Sequence, residues 1–200
     1  ATVTLYILDT DNEQNNEEER NLTYHLYGGE REHRLKQELL LGFGGIRLLK
    51  KLNINPDVFH SNEGHSAFIG VERIRQLMAD HRLDFKTAKE VVRASTLFTT
   101  HTPVPAGHDT FKEDLVRVYL GHYPEDYLGI DWESFIGLGK VHPGNKAEEF
   151  SMSILATNLS RMVNGVSEIH GKVSREMFQP LYPAYFKKEI NVGHVTNGVH

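Results

Sequence analysis

Polar side chains able to grip a hydroxylated ligand recur in three short stretches of this chain of 200 residues. They are His60-Ser61-Asn62-Glu63-Gly64-His65, His101-Thr102-Pro103-Val104-Pro105-Ala106-Gly107-His108-Asp109 and Thr196-Asn197-Gly198-Val199-His200. Neutral imidazoles, carboxamides, hydroxyls and few carboxylates offer many hydrogen bonds and little net charge, which suits the hydroxyl-studded ring of a sugar better than a phosphate. Pro103 and Pro105 stiffen the second stretch, and Gly64, Gly107 and Gly198 permit tight turns, so fixed loop shapes are expected. Zinc is the competing chemistry, through His60 with His65 or His101 with His108. Neither spacing matches a zinc signature and no HExxH occurs, so no metal site is expected. There is no Walker loop. Leu41-Gly42-Phe43-Gly44-Gly45 has the glycine content of a nucleotide loop but lies inside a helical pattern rather than after a strand, and close helix packing is the expected use of its glycines.

Composition narrows the partners. Lys plus Arg number 22 against 27 Asp plus Glu, a net charge of −5, so no basic excess points to nucleic acid or to an anionic membrane. The longest apolar run, around Leu39 to Leu41, is far short of a bilayer span, and no basic segment followed by a hydrophobic core opens the chain. Cysteine is absent, which excludes disulfides and thiolate chemistry and fits a reducing compartment, the cytoplasm.

The elements that would position the three stretches can be read from periodicity. Val3 to Leu8 alternates like a strand, and Asp11 to Arg20 is an acidic, Asn-rich stretch expected to be a solvated loop. Leu35, Leu39, Phe43, Ile46, Leu49 and Leu52 recur at helical spacing, with Lys50 and Lys51 placed to complement the helix dipole. Val58-Phe59 reads as a short strand before the first polar turn, and Phe68, Val71, Ile74, Leu77 and Met78 form one face of a following helix. Asp84 is placed to cap another helix, through about Ala94, and Ser95 to Thr100 reads as a strand entering the second turn. An amphipathic segment runs to Leu120, short helical pieces and loops fill Tyr123 to Asn145, and single Trp132 is expected in the core. Glu148 to His170 reads as one long helix broken near Asn164-Gly165, and Ser174 to Leu181 as a short one. From Ile190 the chain returns to strand-like alternation.

Strands ending near Phe59, Thr100 and Val195 would each deliver one polar turn. Alternation of strands and helices predicts an α/β fold, a Rossmann-like open, mostly parallel sheet with helices on both faces. In such sheets ligands bind beyond the carboxyl ends of the strands, where the three turns would converge. The chain opens mid-pattern at Ala1 without a methionine and stops abruptly at His200, so residues 1–200 are expected to be part of one domain of a longer polypeptide.

Longer motifs add a family. His60-Ser61-Asn62-Glu63-Gly64-His65-Ser66-Ala67-Phe68, Phe98-Thr99-Thr100-His101-Thr102-Pro103-Val104-Pro105-Ala106-Gly107-His108-Asp109, Val163-Asn164-Gly165-Val166 with Ile169-His170, and Thr196-Asn197-Gly198-Val199-His200 occur in the order seen in α-glucan (glycogen, starch or maltodextrin) phosphorylases. The chain resembles the short bacterial type, and Tyr27-Gly28-Gly29-Glu30 with Arg34-Leu35-Lys36-Gln37-Glu38 extends the likeness nearly to its start.

The resemblance implies a glycosyltransferase that releases glucose 1-phosphate from α-1,4-glucan with inorganic phosphate, using pyridoxal phosphate, in a GT-B architecture of two domains. This chain would be the C-terminal portion of the N-terminal domain, inactive alone, with the cofactor-bearing domain and its lysine elsewhere; the full-length enzyme would be a possible homodimer. By the same likeness His101 contacts the 6-hydroxyl of the donor glucose, Asn197 shares that contact and Val166 packs beside the sugar. Glu63 and His65 fall near the acceptor sugar, and Asn62 and Thr102 lie in the same motifs. No catalytic, cofactor-binding or metal residue is expected within the segment. Two rival readings are a nucleotide-sugar glycosyltransferase of the same architecture and a non-catalytic carbohydrate-binding module.

Overall fold

A computed structural model describes residues 2–25, 29–104 and 107–198. Tyr27 and Gly28, Pro105 and Ala106, and Val199 and His200, all within the motifs above, lie outside the described residues. Val3 to Leu8 forms no strand: it pairs with no ladder among the described residues, and Val3, Leu5 and Ile7 are exposed. Alternation alone does not make a strand without a partner for its backbone groups. The acidic stretch is more ordered than expected, because Asn16 and Glu19 form a capping box around the short helix α1 (Glu17–Arg20) and Arg20 pairs with Asp11 at 2.6 Å.

The helical stripe from Leu35 is realised as α2 (Arg31–Leu39) and α3 (Gly45–Lys51), joined without a break by a π-helical turn, Leu40–Gly44. Gly42 lies in that turn for a packing reason. A Cβ there would sit 2.4 Å from Phe68 Cβ, so the glycine lets this helix close directly onto the next one.

That next helix belongs to the sheet. The order is β1 (Phe59–Asn62), α4 (Phe68–His81), α5 (Phe85–Ala94) capped by Asp84 as expected, and β2 (Thr96–Thr99). A two-stranded antiparallel side pair follows, β3 (Thr110–Phe111) and β4 (Phe150–Ser151), enclosing α6 (Glu113–Leu120) and α7 (Trp132–Gly137). The last elements are α8 (Met152–Asn158), β5 (Met162–Gly165), α9 (Glu168–Phe178) and β6 (Val192–His194). The expected long helix over Glu148 to His170 is therefore wrong. It is a strand, a two-turn helix, a second strand and the start of another helix, because short apolar runs such as Met162-Val163 look alike in a buried strand and a buried helix.

The main sheet is fully parallel in the order β1-β2-β5-β6, each new strand added on the same side of the last. Right-handed crossovers taken repeatedly in one direction put their helices on one face. Side-chain burial agrees. Phe98 and Val163 point into the core, where Phe98 meets Phe178 of α9 at 6.2 Å between ring centroids, and Arg73 of α4 lies 3.6 Å over the Phe59 ring. On the opposite face His60, Asn62 and Met162 are exposed. Helices thus cover one face, not both, among the described residues. A buried anion ties the helical layer together: Glu72 of α4 accepts from Arg75 (2.6 Å), Arg47 of α3 (3.1 Å) and Tyr123 (2.8 Å). Burial alone would favour its neutral acid, but these donors outweigh it and hold the carboxyl below the usual range. Trp132 is buried as expected and its indole N–H donates to Glu113 at 2.8 Å.

Two glycines three positions apart separate packing from propensity. Gly42→Ala is expected to lower stability by about 1–3 kcal/mol through overpacking against Phe68. Gly45→Ala, with nothing within 4 Å of the added methyl, is expected to raise it by up to about 1 kcal/mol. Denaturant midpoints of the two variants check the opposite signs.

Candidate functional site

Parallel pairing brings the carboxyl ends of all four strands to one rim of the sheet, and the polar turns sit there. The first is later and tighter than the sequence implies, since His60, Ser61 and Asn62 belong to β1 and the turn proper is Glu63 followed by a 3-10 turn, Gly64–Ser66. Glu63 has φ 70 and ψ 164, a region that a residue with a side chain occupies only when its surroundings hold it there. They do: its N–H continues the ladder to Thr99 O at 2.9 Å and Ser66 Oγ donates to its carbonyl at 3.0 Å. The strained backbone aims the carboxylate across the strand ends, where Oε1 accepts the backbone N–H of His101 and the Thr102 hydroxyl (3.3 Å). Glu63 is thus occupied in holding the second turn in place, with the His101 imidazole exposed beside it.

The other half of the rim is built the same way. Val195 N–H donates to Gly165 O at 3.0 Å and Asn197 N–H to Val166 O at 3.1 Å, so the chain after β6 stays zipped to the chain after β5. The halves meet through Thr100 N–H, which donates to Asn164 O at 3.0 Å. Val166 is half-buried and Asn197 exposed. Glu63, His101, Thr102, Val166 and Asn197 therefore occupy neighbouring strand ends. Asn62 is on the rim too, but on the open sheet face, in register with Thr99.

His65 is half-buried where Arg34, Glu38 and Ile69 line an apolar cleft of about 520 Å3. Burial first, then the nearby Arg34 charge, lowers its pKa, leaving it neutral at pH 7. His108 is likewise held below its usual value by burial, and its ring is engaged by Ser153 (2.5 Å) and Met177. His60 Nε2 meets Thr99 Oγ1 at 2.7 Å, and Asn164 Nδ2 donates to that same hydroxyl at 3.1 Å, a polar ladder across the open face. Of the histidines considered for zinc, His60 and His108 are thus engaged by other side chains. Among the described residues no group of three or more His, Cys, Asp or Glu is placed to hold a metal, and no helix is long and apolar enough to cross a membrane.

Sequence reasoning missed a cluster behind His65. Arg34 of α2 reaches Asp109 at 2.9 Å and Glu38 at 3.0 Å, and Glu38 is only 1% exposed. One guanidinium serves two carboxyl groups, and the deeper keeps its proton. Burial, then the Asp109 charge, pushes Glu38 up to about 9, whereas at Asp109 hydrogen bonds from Arg34 and Glu38 outweigh burial and hold the carboxyl below its usual range. The signal was present: Glu38 falls on the buried stripe between Leu35 and Gly42.

The family model described as carbohydrate phosphorylase matches residues 31–200. The chain belongs to the carbohydrate phosphorylase family. It is 44% identical to the glycogen phosphorylase of Mycobacterium tuberculosis over 99% of its own length and 24% of that protein's. Identity is also 44% to the maltodextrin phosphorylase of Thermococcus litoralis, over 99% and 23%, and 36% to the glycogen phosphorylase of Aquifex aeolicus, over 98% and 28%. It spans about a quarter of the length of the curated relatives it matches.

Glu38 sets a pH dependence with a definite sign. Its folded pKa lies above the unfolded value of 4.5, so the folded phosphorylase segment binds one more proton between about pH 4.5 and 9 and this group's contribution declines as pH rises through that window. Glu38→Gln keeps a donor toward Asp109 without the titration. Its thermal midpoint relative to wild type is expected to climb from pH 5 to pH 8; a constant difference would mean that Glu38 is ionised in the fold.

Proposed function

We propose that this chain is the sugar-recognising part of an α-1,4-glucan phosphorylase, a glycosyltransferase that releases glucose 1-phosphate from glycogen or maltodextrin with inorganic phosphate, and that residues 1–200 form the C-terminal portion of the N-terminal domain of a GT-B pair. The reading rests chiefly on one observation: Glu63, His101 and Thr102 on one side, Val166 and Asn197 on the other, share a sheet rim in a chain of this family. The exposed His101 imidazole and Asn197 carboxamide are assigned to the donor glucose, hydrogen-bonding its 6-hydroxyl. Val166 gives that sugar an apolar wall, and Glu63, His65, Asn62 and Thr102 shape the approach of the acceptor sugar. Fixed donors and acceptors at this rim orient the glycosidic oxygen, and orientation is the share of catalysis that such a segment contributes.

Cofactor and phosphate lie outside this share. The stretches 60–68, 100–109, 164–170 and 193–198 contain no lysine or arginine, and the buried Lys140 is spent on Glu113 at 2.9 Å. These residues do not fit pyridoxal phosphate or inorganic phosphate, whose binding is assigned to another part of the full-length enzyme, for which a cytoplasmic homodimer remains our expectation.

In the full-length protein, His101→Ala is expected to reduce kcat/KM by the equivalent of about 2–4 kcal/mol if its hydrogen bond is made in the transition state. Glu63 acts through His101, so Glu63→Ala is expected to show a comparable loss and the double variant little more than the worse single one. Phosphate-dependent glucose 1-phosphate release measures all three. Wild-type rates for His101→Ala would remove that residue from the site, and additive losses would detach Glu63 from it.

A further inference from the structure

We infer that His170 is a positioning residue for the glucose site, setting the backbone that carries Val166 and Asn197; the inference rests on the function proposed above. His170 is the third residue of α9 and only 8% exposed. Its Nδ1 accepts the backbone N–H of Val166 at 3.1 Å, which requires that nitrogen to be unprotonated and leaves the proton of the neutral ring on Nε2. Nε2 is buried and has no hydrogen-bond partner among the described residues. An interior imidazole with one idle polar atom is an uneconomical choice for packing, so its role lies in the other nitrogen.

That role is distinct from starting the helix. The helix start is already capped, because Ser167 Oγ accepts the N–H of His170 at 3.1 Å. The imidazole reaches one residue further back, to the N–H of Val166, and the Val166 carbonyl in turn accepts the N–H of Asn197 at 3.1 Å. A single ring nitrogen therefore fixes the Gly165–Val166 peptide, and the next peptide, Val166–Ser167, carries the carbonyl that holds Asn197. The surroundings admit the ring only closely: a Cβ on Gly165 would lie 2.7 Å from His170 Nδ1, and one on Gly171 would lie 2.9 Å from Gly193 O. Gly165 and Gly171 thus let α9 press its first turn against β5 and β6, with the imidazole wedged between helix and strand end.

Two polar substitutions separate the acceptor from mere filling of space. In His170→Asn the amide oxygen stands near the place of Nδ1, whereas in His170→Gln it stands one bond further out, where Nε2 was. In the full-length enzyme, His170→Asn is expected to keep kcat within about threefold of wild type. His170→Gln is expected to lose roughly 10–100-fold, mostly in kcat, with the KM for inorganic phosphate little changed, as misplacement of a sugar-orienting group predicts. Equal thermal midpoints for the two variants would show that the difference is not one of folding. If the two share one rate, whether high or low, or if Gln outperforms Asn, the positioning role is overturned. Should wild-type full-length protein release no glucose 1-phosphate, the functional reading itself fails, and the comparison then moves to the Val166–Asn197 contact, followed by amide exchange of Asn197, which His170→Gln should speed and His170→Asn should leave unchanged.

Discussion

A carboxylate reaching across two strand ends governs the candidate site. Glu63 leaves β1 in a backbone conformation that is unfavourable for any residue with a Cβ, and that conformation lets its side chain take the N–H of His101. The cost is borne by the ladder beneath, where Glu63 is still bonded to Thr99, and by Ser66, which closes the turn from the other side. Without the parallel pairing of β1 with β2 there would be no fixed distance for the carboxylate to bridge. Without the bridge, His101 and Thr102 would lose the carboxylate that ties them to the end of β1.

The rest of the rim repeats this logic in backbone form. Val166 and Asn197 are joined by a peptide hydrogen bond, Thr100 links the two halves, and His170 holds the Val166 N–H from behind. The reactive-looking side chains are thus displayed by groups that are themselves consumed in structural bonds, which is how a site on loops acquires the rigidity of the sheet below it. Behind the rim, the Arg34–Glu38–Asp109 cluster anchors the end of the same loop to α2, with one proton and one guanidinium satisfying two carboxyl groups.

Much of this was legible in the linear pattern. The α4 face, the Asp84 cap, the Lys50-Lys51 end of α3 and the use of Gly42 for close packing follow from periodicity, capping chemistry and the cost of glycine in a helix, all of which act within a few residues. What was misread depends on partners distant in sequence. Val3 to Leu8 has the alternation of a strand but no pairing strand among the described residues, whereas Met162 to Gly165 has too short an apolar run to declare itself and becomes an interior strand because β2 and β6 lie on either side.

By itself the sequence determined which side chains are available for sugar recognition, the motifs that tie the chain to the phosphorylases, and the local helices. Tertiary structure alone decided that Glu63 holds His101, that His170 supports Val166, that Glu38 stays protonated and that, among the described residues, helices cover one face of the sheet. The reason is physical. Propensity and capping are settled by neighbours along the chain, whereas a hydrogen bond across strands, a desolvated carboxyl group and the side on which a crossover helix lands exist only once remote segments share the same space.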